Sequence, residues 1–550
     1  MPRESGASSN PVPSVKLMLY AQIAVRWLLD RPVKPGDDNC GIQTLEPNLA
    51  RSVCVAGVTA LALCTGIASA AAQAASARPT IAVLPLENNS GDASQDFFAG
   101  GMTDEIAVAL TGVRGLGVVA RSSSFLLKPA DRDTKTIGEK LNANYLVQGA
   151  ARIVADRVRL NIRLVQAGDG VQLWSQEYDA ERGDIFDIEE DIAGTIAATL
   201  KVPTSPSEVL VRSRTGDFDA YLDFLRAKVA ARPRGAKPLA AAAVILERVV
   251  ARDPNFAPAA ALLAYGYALT PLFAPSLRAG MPQEEHKIVE RTIPRSDALA
   301  RRAAALDPNS AEAFVALGYA NMVQRRMAAA EDAFKQALAL NPNQADGLHG
   351  YSQLLAALGR IKESLAMRDH LQAGEQFITN YTADTAEIYW LDGDTEKAVA
   401  MLQPFRPGRT LELALVQASA GRYREAAAAI REMPASNYPP GMTEAAAQIL
   451  ESAPAKAAAP AALPRIGNLS FAYMHVGAPE RVLEFYQDEI SGDYFQPISA
   501  TWFWHPTYAV VRKTERFKKV ARDLGLVEYW RARGWPAQCR PEGTDDFACE

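Results

Sequence analysis

The stretch from Ala311 to Pro342 has a spacing that few folds satisfy. Counting Ala311 as position one, Phe314 fills position four, Leu317 and Gly318 seven and eight, Ala330 twenty, Phe334 twenty-four, Ala337 twenty-seven and Pro342 thirty-two. Small residues at eight, twenty and twenty-seven let two antiparallel helices approach closely. Large apolar side chains fill the layer between them, and the proline stops the second helix. One such hairpin cannot bury both of its faces, so the pattern requires neighbours.

Neighbours are visible on two rulers. Asp253-Pro254-Asn255, Asp307-Pro308-Asn309 and Asn341-Pro342-Asn343 recur at intervals of 54 and 34 residues, the longer one holding a Pro- and Gly-rich insertion from Thr270 to Gln283. Turns between paired helices follow at LGRIKES, LDGDTEKA, AGRYREAA and VGAPERVL, with Gly359 and Gly393 34 apart and Gly393 and Gly421 28 apart. About six or seven hairpins are expected, over residues 216–452 and again over 466–550, with a flexible connection at 453–465 (APAKAAAPAALP) between them.

This spacing resembles the tetratricopeptide repeat (TPR). In such repeats the first helix of each hairpin lines a concave groove through positions two, five, nine, twelve and thirteen. Carried onto this chain, those are Glu312, Val315, Tyr319, Met322 and Val323, then Asp346, His349, Gln353, Ala356 and Ala357. The resemblance therefore implies protein or peptide partners contacted by Glu312, Val315, Tyr319, Met322, His349 and Gln353. Packing of the same residues against adjacent helices is the alternative. The Lys and Asn set that clamps a peptide carboxylate in chaperone-binding TPR proteins is not visible.

Upstream, residues 79–202 change character. TIAVLPL is an apolar run of strand length, ended by Pro85 and Asn88-Asn89-Ser90-Gly91-Asp92. A helix is expected from Thr103, a second strand at LGVVAR and a second helix around Ile137–Leu141. Three strands follow at YLVQGAARIV, RVRLNIRLVQ and VQLWSQEYD. The middle one alternates Val158, Leu160, Ile162 and Leu164 with Arg157, Arg159, Asn161 and Arg163, as a half-buried antiparallel strand does. A helix over Asp184–Leu200 carries its acids early, which suits the helix dipole. The fold class expected is an α+β N-terminal domain followed, after a linker at 203–215, by an all-α TPR-type solenoid. IAVLPLENNSGD, FFAGGMTDEI, VVARSSSF, IGEKLNANYLVQGAARI and VQLWSQEYDAERGDIFDIEEDIA resemble, in order, the TolB amino-terminal-like or FlgO-like domain of bacterial proteins. In that family the domain precedes TPR repeats, sometimes after a transmembrane helix and a cytoplasmic regulator, kinase or nucleotide-cyclase domain. Residues 1–51 are too few to hold a cyclase or kinase, and no fold is assigned to them. The tail from Arg516 resembles the end of the same family, which implies that Tyr529, Trp530 and Trp535 cover the last apolar face and that a Cys539–Cys549 bridge pins it.

Ser52 to Ala77 lack charge, but the strongly apolar part, Val53 to Ala68, is shorter than the roughly twenty residues a spanning helix needs. Small-x-small sites follow it. A signal peptide and an uncleaved anchor both fit residues 52–77. The expected location is the periplasm or cell envelope, or else a single-pass inner-membrane protein with its C-terminal part periplasmic. The net charge of −5 and pI near 5.8 offer no bulk attraction to nucleic acid. Cys40, Cys54 and Cys64 lie near the start and Cys539 and Cys549 near the end. The last two form a disulfide in an oxidising compartment, worth about 2–3 kcal/mol, or stay as two thiols.

Motifs for chemistry are absent. The five histidines show no HExxH or His/Cys ligand spacing, and there is no GxSxG elbow or GxxxxGK[ST] loop. Gly112, Gly115 and Gly117 precede a strand rather than joining strand to helix. Asp184, Asp187, Glu189, Glu190 and Asp191 read as a solvated helix start, and Arg121 with Ser122–Ser124 as strand-end turn chemistry. No catalytic residue, cofactor or metal site is expected. The function expected is a non-enzymatic interaction scaffold; the alternative is a membrane-anchored signalling or regulatory protein, with nucleotide cyclase as a remote third.

Overall fold

The computed structural model describes residues 79–113, 115–119, 133–203, 215–274, 279–374, 379–406, 408–434, 437–495 and 500–550; for 373, 374, 379 and 380 this covers backbone only. Residues 1–77 with Cys40, Cys54 and Cys64, the Arg121–Ser124 turn and most of the 203–215 linker lie outside this set. Among the described residues no helix is long and apolar enough to cross a membrane.

The chain is mostly helical, with a small sheet towards its N-terminal side. The strands β1 (Thr80–Val83), β2 (Gly117–Val118), β3 (Tyr145–Val154), β4 (Arg157–Gln166) and β5 (Gln172–Glu181) lie in the order β2-β1-β3-β4-β5. β1 runs parallel to both neighbours, and β3, β4 and β5 form an antiparallel meander. β4 buries Val158, Leu160, Ile162 and Leu164 and leaves Arg157, Asn161 and Arg163 exposed. Its apolar face packs on α1 (Asp96–Thr111) and on a helix that follows β5. On the other face α2 (Thr134–Leu141) covers only the β1 side, placing Ile137 and Leu141 against Ala82 and Leu146. The helix after β5 is α3 (Ile185–Thr199); its Ile188, Ile192 and Ile196 complete the core. The acid run there is not uniformly solvated. Glu189 is 1% exposed and accepts a 2.6 Å hydrogen bond from the Tyr221 hydroxyl, because α3 is covered by the first helix of the repeat region.

That helix, α4 (Phe218–Ala231), opens six hairpins among the described residues: α4/α5 (Ala236–Arg252), α6 (Ala257–Leu269)/α7 (Pro282–Leu306), α8 (Ala311–Val323)/α9 (Met327–Leu340), α10 (Ala345–Ala357)/α11 (Ile361–Gly374), α12 (Thr379–Leu391)/α13 (Thr395–Leu402) and α14 (Thr410–Ser419)/α15 (Tyr423–Arg431). α4 and α5 share one hydrophobic core with the sheet, through Tyr221, Leu225, Leu246 and Val249. The Gly100-Gly101 pair in α1 permits this, since a Cβ on Gly101 would stand 2.8 Å from Leu225 Cβ. Arg232 seals the joint with donations to Gly100 O at 2.8 Å and Asp104 Oδ2 at 3.1 Å.

The three Asx-Pro-Asn stops act through their first residue. Helices α5, α7 and α9 end at Arg252, Leu306 and Leu340, and the next side chain accepts the backbone N–H two residues on: Asp253 from Asn255 at 2.9 Å, Asp307 from Asn309 at 3.0 Å, Asn341 from Asn343 at 3.0 Å. The side chain mimics a turn while the proline forbids another helical residue. Gly318, at position eight, is where the paired helices touch; a Cβ there would lie 2.6 Å from Phe334 Cε1.

After α16 (Met442–Ser452) the chain is dominated by short 3₁₀ turns, with α17 (Leu483–Ser491), α18 (Ala509–Arg512), α19 (Glu515–Asp523), α20 (Leu526–Arg533) and a hairpin of β6 (Cys539–Glu542) and β7 (Asp546–Cys549). The connection at 453–465 is tied down: Ala457 N donates to Val476 O at 2.9 Å, and Arg481 Nη1 to Pro460 O at 2.9 Å and Leu463 O at 2.6 Å. Cys539 and Cys549 form a disulfide across the β6–β7 hairpin.

Tyr529 and Trp530 are buried, but not on the last repeat. The tail folds back onto the edge where the first helices of earlier hairpins end. Tyr494 OH donates to Ala268 O at 3.1 Å, Phe495 N to Val323 O at 3.2 Å, Trp504 Nε1 to Ala357 O at 3.0 Å and Trp530 Nε1 to Leu358 O at 3.1 Å. Those carbonyls close α6, α8 and α10 and have no partner within their own helices. The tail supplies the missing donors, which is why it docks there.

Candidate functional site

The first helices α6, α8, α10, α12 and α14 bring a row of polar side chains onto one face. The residues expected to line it divide. Glu312 is exposed and Gln353 half-buried, whereas Val315, Tyr319 and Met322 are 3%, 2% and 1% exposed. Tyr319 is locked edge-on between Tyr265, at a centroid distance of 5.0 Å, and Phe334, at 5.4 Å. These three residues belong to the core, because successive first helices pack closely enough to cover positions five, nine and twelve. His349 is also buried, 4.7 Å from the Tyr381 ring.

Beside His349 lie two further charged groups, one buried and one half-buried. Arg368, fully buried, contacts His349 Nδ1 through Nη1 at 2.9 Å, and His349 Nε2 lies 3.5 Å from Asp384 Oδ2. An arginine can only donate, so Nδ1 accepts and the imidazole proton sits on Nε2, facing the carboxylate. Burial, and then the neighbouring Arg368, hold His349 well below its ordinary range, so it stays neutral. Burial pushes Asp384 up, although Gln353 Nε2 donates to it at 3.0 Å.

A second cluster surrounds Asp346, on the first turn of α10. Its Oδ1 accepts from the Tyr265 hydroxyl at 2.9 Å, from the Tyr381 hydroxyl at 2.8 Å and from Arg234 Nη2. Burial works to raise Asp346, but Arg234 and the two phenols overcome it and hold the carboxyl below its usual value. The sequence flagged Asp346 as a groove position. Nothing in it pointed to Arg234, Tyr265, Tyr381, Arg368 or Asp384. Arg234 comes from the α4–α5 turn, 112 residues from Asp346, beyond the reach of any local pattern.

Farther along, Arg409 Nη1 pairs with Glu412 at 3.1 Å at the start of α14. Away from this face, α7 and α17 meet over buried carboxylates. Glu285 and Glu489 are each 1% exposed, and burial followed by the nearby Asp488 pushes Glu285 up to about 8. Asp488 itself pairs with Arg465. Among the described residues no group of three His, Cys, Asp or Glu side chains could hold a metal ion.

No family model matches the chain. A 189-residue stretch is 36% identical to a Rhizobium meliloti (strain 1021) protein named "Putative adenylate cyclase 3", covering 34% of this chain and 32% of that protein. The chain thus spans about a third of the length of this curated relative. Similar solved structures include a thermophilic TPR protein of Thermus thermophilus (17% identity, 36% of this chain and 98% of that one, TM-score 0.28). Another is YrrB, a TPR protein with an unusual peptide-binding site (15%, 39% and 92%, TM-score 0.23). A third is the human IFIT1 dimer with m7Gppp-AAAA (14%, 63% and 70%, TM-score 0.35). TM-scores of this size leave much of the helix placement unmatched, so the repeat assignment rests on the hairpins themselves.

Proposed function

We propose that the chain is a non-enzymatic protein–protein interaction scaffold of the bacterial cell envelope. It captures partner segments along the face made by its first helices, and the sheet with α1–α3, a TolB-amino-terminal-like α+β domain, serves as a second docking surface. The observation that carries the reading is the make-up of that helical face: Glu312, Asp346, Gln353, Asp384 and Arg409 stand exposed or half-buried on successive hairpins above a sealed core. A repeat array offers polar contacts to an extended chain in this way. The Cys539–Cys549 bridge suits an oxidising compartment, and the open face of β4, with Arg157, Asn161 and Arg163, suits docking.

A photo-cross-linking residue in place of Glu312 tests the groove, with one in place of Lys362, whose side chain is 82% exposed on a second helix, as control. Protein adducts are expected from position 312 and not from 362. Equal labelling, or none at 312 in cells, counts against the groove.

A second reading, a membrane-anchored regulatory protein, draws on the cyclase name of the Rhizobium relative. It requires residues 53–77 to stay attached. N-terminal sequencing separates the two, since a mature chain starting near Ala71, Ala75 or Arg78 removes the anchor. Purified protein is expected to make no cyclic nucleotide from ATP; formation of cyclic AMP would overturn the non-enzymatic assignment.

A further inference from the structure

The turn joining α4 to α5 reaches far beyond its own hairpin. Arg234 holds φ at +50°, the left-handed conformation that the α8–α9 turn also takes at Arg325, φ +63°. From there its guanidinium crosses to the fourth and fifth hairpins. Nη2 donates to Asp346 Oδ1 and, at 2.8 Å, to the Tyr381 hydroxyl, and the guanidinium carbon lies 5.0 Å from the centroid of the Tyr381 ring. Tyr265 and Tyr381 both donate to the same Asp346 oxygen. The site is not sealed: the side chains of Arg234 and Asp346 are 19% and 29% exposed.

A carboxylate flanked by two phenols, with one aromatic ring turned toward the cation, is a receptor for a planar guanidinium. We propose that Asp346, Tyr265 and Tyr381 form a guanidinium pocket in the partner-binding face, filled in the free protein by the chain's own Arg234. An arginine side chain on an extended partner segment takes it over when Arg234 withdraws. This rests on the groove reading above and names what the groove selects. Two features favour exchange over a permanent lock. Solvent already reaches both partners of the pair. Asp346 also lies in the first turn of α10, where the helix dipole and the two phenol donors favour its charged form.

The test uses the full chain as wild type, Arg234→Ala and Arg234→Ala/Asp346→Asn. The probes are a blocked Ala-Arg-Ala tripeptide and its citrulline counterpart, which keeps the shape and loses the charge. By calorimetric titration, Arg234→Ala is expected to bind the arginine peptide at least about tenfold tighter than wild type. The citrulline peptide and the double variant should each lose that gain. Equal affinity of wild type and Arg234→Ala, or equal binding of both peptides, overturns the proposal. A thermal melt with methylguanidinium gives a second readout, a rise in Tm for Arg234→Ala and none for the double variant; no rise in either overturns it too. If Arg234→Ala does not fold, Arg234→Lys, which gives up the planar contact, takes its place with the same expected order. Cross-linking at position 312 without arginine preference would sink the pocket and leave the scaffold standing. Loss of both would take down the scaffold reading as well.

Discussion

Glu331 shows how one side chain can tie distant parts of the chain together. It is 1% exposed, yet its carboxylate meets Arg360 Nη1 at 2.6 Å, Lys335 Nζ at 2.8 Å, Tyr529 OH at 2.8 Å and Tyr351 OH at 3.1 Å. Burial alone would raise its pKa; hydrogen bonds from Lys335, Arg360 and Tyr529 together reverse that and hold it near 2. A carboxyl depressed in the folded state stabilises above its unfolded value and loses that contribution as pH falls through the folded one. Glu331→Gln is therefore expected to cost about 2–3 kcal/mol at pH 7 in urea unfolding. The gap to wild type should narrow between pH 4.5 and 2, and a cost under about 0.5 kcal/mol at neutral pH would contradict the assignment. In the sequence Glu331 looks like any acid on an amphipathic helix, because three of its four partners are set by tertiary packing.

Among the elements, the hairpin turns test how the tail is attached. Gly359 and Gly393 occupy the same place in successive repeats and both have positive φ, +83° and +98°. A Cβ on Gly359 would stand 2.6 Å from Pro536 Cβ and 3.1 Å from Trp504, whereas one on Gly393 would meet nothing within 4 Å. Gly393→Ala should cost only the backbone strain, about 1–2 kcal/mol. Gly359→Ala should cost about 1–3 kcal/mol more, through displaced packing. Denaturant midpoints compare the two, and equal losses would show that the tail does not press on the turn. The hairpins, their Asx-Pro-Asn stops and the β3–β5 meander were legible because each is a short-range periodic pattern. The docking edge was not, since indole N–H groups meeting helix-end carbonyls leave no period in the sequence. The polar face was half legible: the position rule picked out Glu312, Asp346 and Gln353, which the structure leaves exposed or half-buried. The rule also offered Val315, Tyr319 and Met322, for which the alternative of packing against adjacent helices holds, since all three lie in the core.

At the scale of the whole molecule, buried titratable groups set an asymmetric pH response. Burial raises Glu285 and Glu387 to about 8, and an acid raised in the folded state loses stability as pH climbs from 4.5 to that value. Burial lowers His475 and His505 to about 4, with His349 also depressed, so their contribution is lost as pH falls below 6.5. Over 4.5–6.5 the two groups oppose each other; above 6.5 only the acids act. Tm is expected to fall from pH 6.5 to 8.5, and to fall less steeply in Glu285→Gln because Glu387 still titrates there; a Tm that rises over that window would contradict these burials. The folded-back tail also bears on how the chain is made. Leu358 waits for Trp530, 172 residues later, which at ~5–20 residues per second of synthesis is roughly 10–30 s. Until residues 494–530 are made, the ends of α6, α8 and α10 lack the donors that the tail brings, so the array is completed only by its last helices.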